Sequence, residues 1–181
     1  RYLAMTDDAL RSERLIGIIQ PTSEVEGQQK FPPLYKTGCA GRITAFSETD
    51  DGRYLVTLLG VCRFNIDQEI DSTRGYRRVV PNWGPFRSDI AKPDKFDIDK
   101  ERLLVALKCY FEKKTIDADW EAINSMNNVQ LITTLAMICP FDATEQQALL
   151  VAEKIEDRAS TMISLLEMAS HEEDGIKDVR H

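Results

Sequence analysis

The sequence predicts an α+β protein: a curled sheet closing into a mixed barrel up to about Val80, then a bundle of about four helices. Three observations predict this. Two apolar runs flank Asp51-Gly52, a hairpin signal because glycine tolerates the positive φ of a tight turn. A proline- and glycine-rich stretch, Pro81-Asn82-Trp83-Gly84-Pro85-Phe86, interrupts the chain. From Asp99 onward, apolar residues recur at helical spacing. The reading is a barrel subdomain over residues 1–80, a connector over 81–98, a helical subdomain over 99–170 and a charged tail over 171–181.

Element by element, a short helix takes in Tyr2, Leu3, Met5 and Leu10, and a strand follows at Leu15-Ile16-Gly17-Ile18-Ile19, before Pro21. The polar, proline-flanked segment Thr22 to Pro33 reads as a surface loop. In the next strand Cys39, Gly41, Ile43 and Ala45 share one face, and Arg42 and Thr44 the other. After the turn, Tyr54 to Leu59 is apolar at nearly every position, which predicts a strand buried on both sides. Gly60 marks a bulge or bend, beyond which Cys62, Phe64 and Ile66 should point inward and Arg63 and Asn65 outward. Three helices carry apolar stripes: Leu103, Leu104, Leu107 and Phe111; Leu131, Ile132, Leu135 and Ile138, ended by Pro140; and Ala159, Met162, Ile163 and Leu166. Asp142 with Glu145 predicts a capping box before a fourth. The tail from Ser170 to His181 should fray.

A chain of 181 residues buries roughly 70% of its unfolded surface, enough for a core without metals or disulfides. No apolar run approaches the roughly 20 residues that cross a bilayer, and the N-terminus has no signal-peptide pattern. Cys39, Cys62, Cys109 and Cys139 are widely spaced in apolar patterns, which reads as buried, reduced thiols of a cytoplasmic protein; a Cys39–Cys62 disulfide is the minor alternative. Net charge of −7 argues against phosphate-backbone binding, and the one basic cluster, Arg74, Arg77 and Arg78, reads as a solvated strand edge.

Catalytic patterns are missing. Lys36-Thr37 is the nearest approach to a phosphate loop, but Pro32 and Pro33 precede it and donate no N–H groups. The two histidines, His171 and His181, both lie in the tail, which leaves no zinc spacing and no Ser-His or Cys-His pair. Acidic pairs such as Asp7-Asp8, Asp50-Asp51 and Glu172-Glu173-Asp174 read as solvated charges.

The order of motifs resembles the N-terminal, substrate-binding domain of Lon proteases, a domain also found alone in small bacterial proteins. Gly38 and Gly41, then Asp51-Gly52-Arg53, then Gly60-Val61-Cys62-Arg63-Phe64-Asn65-Ile66 match its strand, hairpin and strand. Arg1-Tyr2-Leu3-Ala4-Met5, Tyr76-Arg77-Arg78-Val79, Gln146-Gln147-Ala148-Leu149-Leu150 and Asp157-Arg158-Ala159 extend the match over almost the whole chain. The family carries a strand-turn-strand segment ahead of the arginine-tyrosine helix start, so a longer parent chain is expected; without that segment a sheet edge would stay open.

The resemblance implies a PUA-like pseudo-β-barrel followed by a C-terminal helical bundle. It implies a noncatalytic protein-binding domain without cofactors, lacking the ATPase and Ser-Lys peptidase modules of a full Lon protease. The implied partners are unfolded or degron-bearing polypeptides and a protease, with weak self-association. A PUA-like fold by itself would suggest RNA, but the net charge of −7 argues against nucleic acid, and the lack of a long apolar run argues against a membrane. Peptide would lie in a groove between barrel and helices and along a strand edge. Trp83 and Phe86 in the connector, with Tyr35 and Tyr76 at strand starts, are the candidate platform, and Arg63 the candidate for a peptide carboxylate. Each has a packing alternative: the aromatics as plugs between subdomains, Arg63 as a barrel-stabilising contact. The other functional readings are a PUA-like RNA binder and a small-ligand-binding barrel.

Overall fold

The computed structural model describes residues 2–22, 32–71, 74–91 and 96–171, with His171 described by its backbone alone. Most of the expected Thr22–Pro33 loop, and the tail beyond His171, therefore lie outside the described residues. The chain forms two compact units, Arg1–Pro93 and Asp94–His181.

In the first unit, helix α1 (Tyr2–Leu10) precedes strands β1 (Leu15–Ile18), β2 (Thr37–Glu48), β3 (Tyr54–Ile70) and β4 (Arg78–Asn82). The strands lie side by side in chain order, and every pairing among them is antiparallel rather than mixed. The β2–β3 turn places Gly52 at φ 74°, as the Asp-Gly signal requires. Gly38 is needed for a different reason: a Cβ there would sit 2.7 Å from the Ile18 carbonyl oxygen. Val61, directly after Gly60, has no partner while Ala40 pairs with Cys62 and Gly41 with Gly60, so the bulge falls where the strand glycine predicts it.

Helix α1 covers one face of this sheet. Ala9, Ile16 and Ile43 are buried there, with Met5, Leu10, Val56 and Leu58 packed around them. Asp8 ties the helix down further: it accepts a hydrogen bond from the Tyr76 hydroxyl at 2.7 Å and pairs with Arg74. Among the described residues of the first unit, no element packs on the opposite face of the hairpin. Leu55 and Leu59 are 68% and 61% exposed, so the run from Tyr54 to Leu59 is covered on one side only. Apolar composition marked it as doubly buried, but among the described residues only α1 packs against it.

The second unit holds five helices among the described residues: α2 (Lys100–Lys113), α3 (Trp120–Ser125), α4 (Asn128–Ile138), α5 (Ala143–Val151) and α6 (Ile155–His171). Asp99, Asp119, Asn127 and Asp142 cap α2 to α5, each accepting a hydrogen bond from a first-turn N–H. The capping box at Asp142 and Glu145 has both reciprocal bonds. Leu103, Leu107, Leu131, Ile132, Leu135, Met162 and Leu166 form the fully buried centre of the core. Ile138 departs from its stripe and is exposed, because α4 ends there and the next residue, Cys139, turns inward instead. Helix α3 is a further element that the spacing of apolar residues did not mark.

Candidate functional site

Strand β3 leads from the bulge into Cys62-Arg63-Phe64, and all three residues are buried. That requires cover on both faces, and a short 3-10 helix, Gly84–Ile90, supplies it. Its entry follows from local sequence: Asn82 Oδ1 accepts from the Gly84 N–H, Pro85 fits the first turn, and the Trp83 carbonyl accepts from the Phe86 N–H. The helix then docks through Asp89. One carboxylate oxygen accepts from the Arg63 backbone N–H and from Nε, both at 2.9 Å, and the other accepts from Nη2 at 2.7 Å. The Arg63 guanidinium lies 4.5 Å from the centre of the Phe86 ring. The Cys62 thiol donates to the Phe86 carbonyl oxygen, and burial pushes its pKa up.

Three of the five expected site residues thus meet in one cluster. Phe86 is 2% and Arg63 5% exposed; Arg63 does not point outward, because Asp89 draws its charge under the 3-10 helix. Trp83 keeps 38% of its surface exposed while its ring rests 5.3 Å from that of Phe64. The other two stand elsewhere. Tyr35 is half-buried, its backbone N–H bonded to the Gln20 carbonyl oxygen. Tyr76 is half-buried against Asp8, a hydrogen bond that raises its pKa.

The bare hairpin face is the feature that sequence reasoning missed. Arg42 pairs with Leu15 on one side and with Leu59 on the other, so these three side chains form one cross-strand row. Thr57 and Leu55 continue the same face along β3, opposite Ala45 and Ser47. Every one of these residues is exposed. Exposed leucines repeated on one uncovered sheet face mark a contact surface. The signal available in the sequence was the same apolar run, which is equally compatible with a core strand.

The remaining chemistry is sparse. Among the described residues, no group of histidine, cysteine, aspartate and glutamate could hold a metal ion, and no helix is long and apolar enough to cross a membrane. Arg74 and Arg77 pair with Asp8 and Glu69, which neutralises two of the three cations in the basic cluster. All four cysteines are free; Cys62 and Cys139 are buried, Cys39 is half-buried, and Cys109, expected to be buried, is exposed on α2.

Comparison with known proteins adds a family. The family described as the ATP-dependent protease La (LON) substrate-binding domain matches residues 1–168. No curated protein matches the chain by sequence. Among solved structures, a Lon N-terminal domain protein from Xanthomonas campestris aligns with a TM-score of 0.61 at 19% identity, covering 91% of this chain and 83% of that one. The N-terminal domain of a Mycobacterium avium complex Lon protease aligns with a TM-score of 0.46 at 13% identity, over 87% and 90%.

Proposed function

The chain belongs to the LON substrate-binding domain family, and from that premise we propose that it holds unfolded or degron-bearing polypeptide on the bare face of the β2–β3 hairpin. It is a noncatalytic substrate-recognition domain for polypeptides. The observation that carries the proposed site is the exposure of Leu15, Leu55 and Leu59 on a single uncovered sheet face. A folded protein gains nothing in stability from leucines left in water, whereas a passing apolar segment gains roughly 25 cal/mol for each Å² it buries against them. Weak, additive contacts of this kind suit a domain that must accept many sequences and release them.

Trp83 is the proposed second contact, its exposed edge held in place by Phe64. Phe86 and Arg63 serve as its foundation, and Tyr35 and Tyr76 contribute at the strand starts. The protein would work in the cytoplasm, passing polypeptides to a protease, and would self-associate weakly.

Titration of a fluorescent unfolded polypeptide against Leu55→Ser/Leu59→Ser tests the site. Both side chains are exposed, so the melting temperature should hold within a few degrees. Affinity should fall about tenfold or more, as for loss of two central contacts. Unchanged affinity in the double variant would place the site elsewhere.

A further inference from the structure

We propose that the hairpin face prefers polypeptide segments in which an acidic residue sits between apolar ones, and that Arg42 sets this preference. The inference rests on the hairpin face being the binding site, and names the class of segment it takes. Arg42 stands at the middle of the row, with Leu15 and Leu59 as its immediate cross-strand neighbours. It is the one charged side chain among the exposed residues of that face, the others being leucine, threonine, alanine and serine. Among the described residues, Arg53, Arg63, Arg74, Arg77 and Arg102 each pair with a carboxylate; Arg42 does not, nor do Arg11, Arg14, Arg78 and Arg87, so what sets Arg42 apart is its place inside an apolar row.

A cation between two exposed leucines has a physical consequence. Cross-strand neighbours on a sheet stand about 5 Å apart, so an apolar segment seated on Leu15 and Leu59 also covers the Arg42 stem. Covering it removes water from a cation, which is unfavourable unless the segment brings an acceptor. A carboxylate between two apolar side chains supplies that acceptor at the right spacing, and arginine can receive it through two parallel hydrogen bonds. A lysine in the same place would face a like charge. The chain's overall charge of −7 works against acidic segments at long range, so the preference is local to this row and should weaken with salt.

Three labelled peptides, alike except for aspartate, asparagine or lysine between two leucines, provide the test by fluorescence anisotropy. Wild-type protein should bind the aspartate peptide about threefold more tightly than the asparagine peptide, the size of a partly exposed ion pair. The lysine peptide should bind most weakly. Arg42→Ala should bind the aspartate and asparagine peptides equally, and Arg42→Glu should reverse the order of aspartate and lysine. Equal affinities in the wild type, or an aspartate preference that survives Arg42→Ala, would overturn the proposal. The site itself is scored separately by the asparagine peptide and Leu59→Ser. If Leu59→Ser weakens that peptide but no charge preference exists, the site stands and the proposal falls. If Leu59→Ser changes nothing, both fall together.

Discussion

Arg63 and Asp89 are separated by a turn, a strand and half a 3-10 helix, yet three hydrogen bonds join them. The arginine is almost wholly buried and the aspartate four-fifths so. Breaking such a pair from one side strands the other charge, which costs about 3 kcal/mol or more. Asp89→Ala should therefore lower the melting temperature of the first unit markedly, with Asp89→Asn recovering part of the loss; thermal unfolding reads both. Trp83→Ala distinguishes a contact residue from a plug. As a contact, it should cost about 2 kcal/mol of binding energy and, being partly exposed, much less in stability. A large drop in melting temperature with no selective loss of affinity would instead assign Trp83 to packing on Phe64. Neither pair was legible in the sequence beyond its residue types. An arginine in a strand carries no mark of the carboxylate that will reach it, because that partner arrives through the fold.

At the scale of elements, local chemistry was legible and cover was not. The Asp-Gly turn, the bulge after Gly60 and the Asp142–Glu145 box each depend on residues within a few positions of one another. Asp142→Ala removes one of two reciprocal bonds at the start of α5 and should cost about 1 kcal/mol, measured by chemical denaturation. Whether a strand is covered depends on distant elements. The Tyr54–Leu59 run looks the same whether it faces a core or solvent, and here α1 covers one side of it. Helix α3 escaped notice because its six residues complete fewer than two turns, too short for an apolar stripe to repeat. Ile138 kept its periodicity to the end of α4 but lost its burial when the helix stopped one residue before the inward turn.

Across the whole molecule, ionisation and catalytic inventory give two further expectations. In the helical unit, burial pushes the Tyr110 hydroxyl up from 10.0 to about 12 and the Cys139 thiol up from 9.0 to about 12. The folded state thus holds protons that the unfolded chain releases earlier, so stability is full below pH 9.0 and drains as pH rises through about 12. Melting curves between pH 8 and pH 11.5 should show the onset, roughly, above pH 9; a flat profile would contradict burial of these groups. The 181-residue chain should also hydrolyse no ATP and cleave no casein, since its sequence carries no phosphate loop and its family is a substrate-binding domain. Turnover that survives repurification would reveal a site overlooked.

The bridge from Asp8 to Tyr76 joins positions 68 residues apart, and that separation bears on the order in which the first unit assembles. Strands β2 and β3 close over a tight turn and can zip outward from Gly52 with little loss of chain entropy. Strands β1 and β4 then add to the flanks, since chain order and spatial order coincide. The Asp8 carboxylate meets its partners only after the segment before β4 has come into place, so this tie on α1 is the last to close. Helix α1 buries only Thr6 and Ala9, so little holds it down once that tie opens. Its amides should therefore exchange with solvent ahead of those of β2 and β3, which lets the hairpin stay paired while the helix lifts from one of its faces.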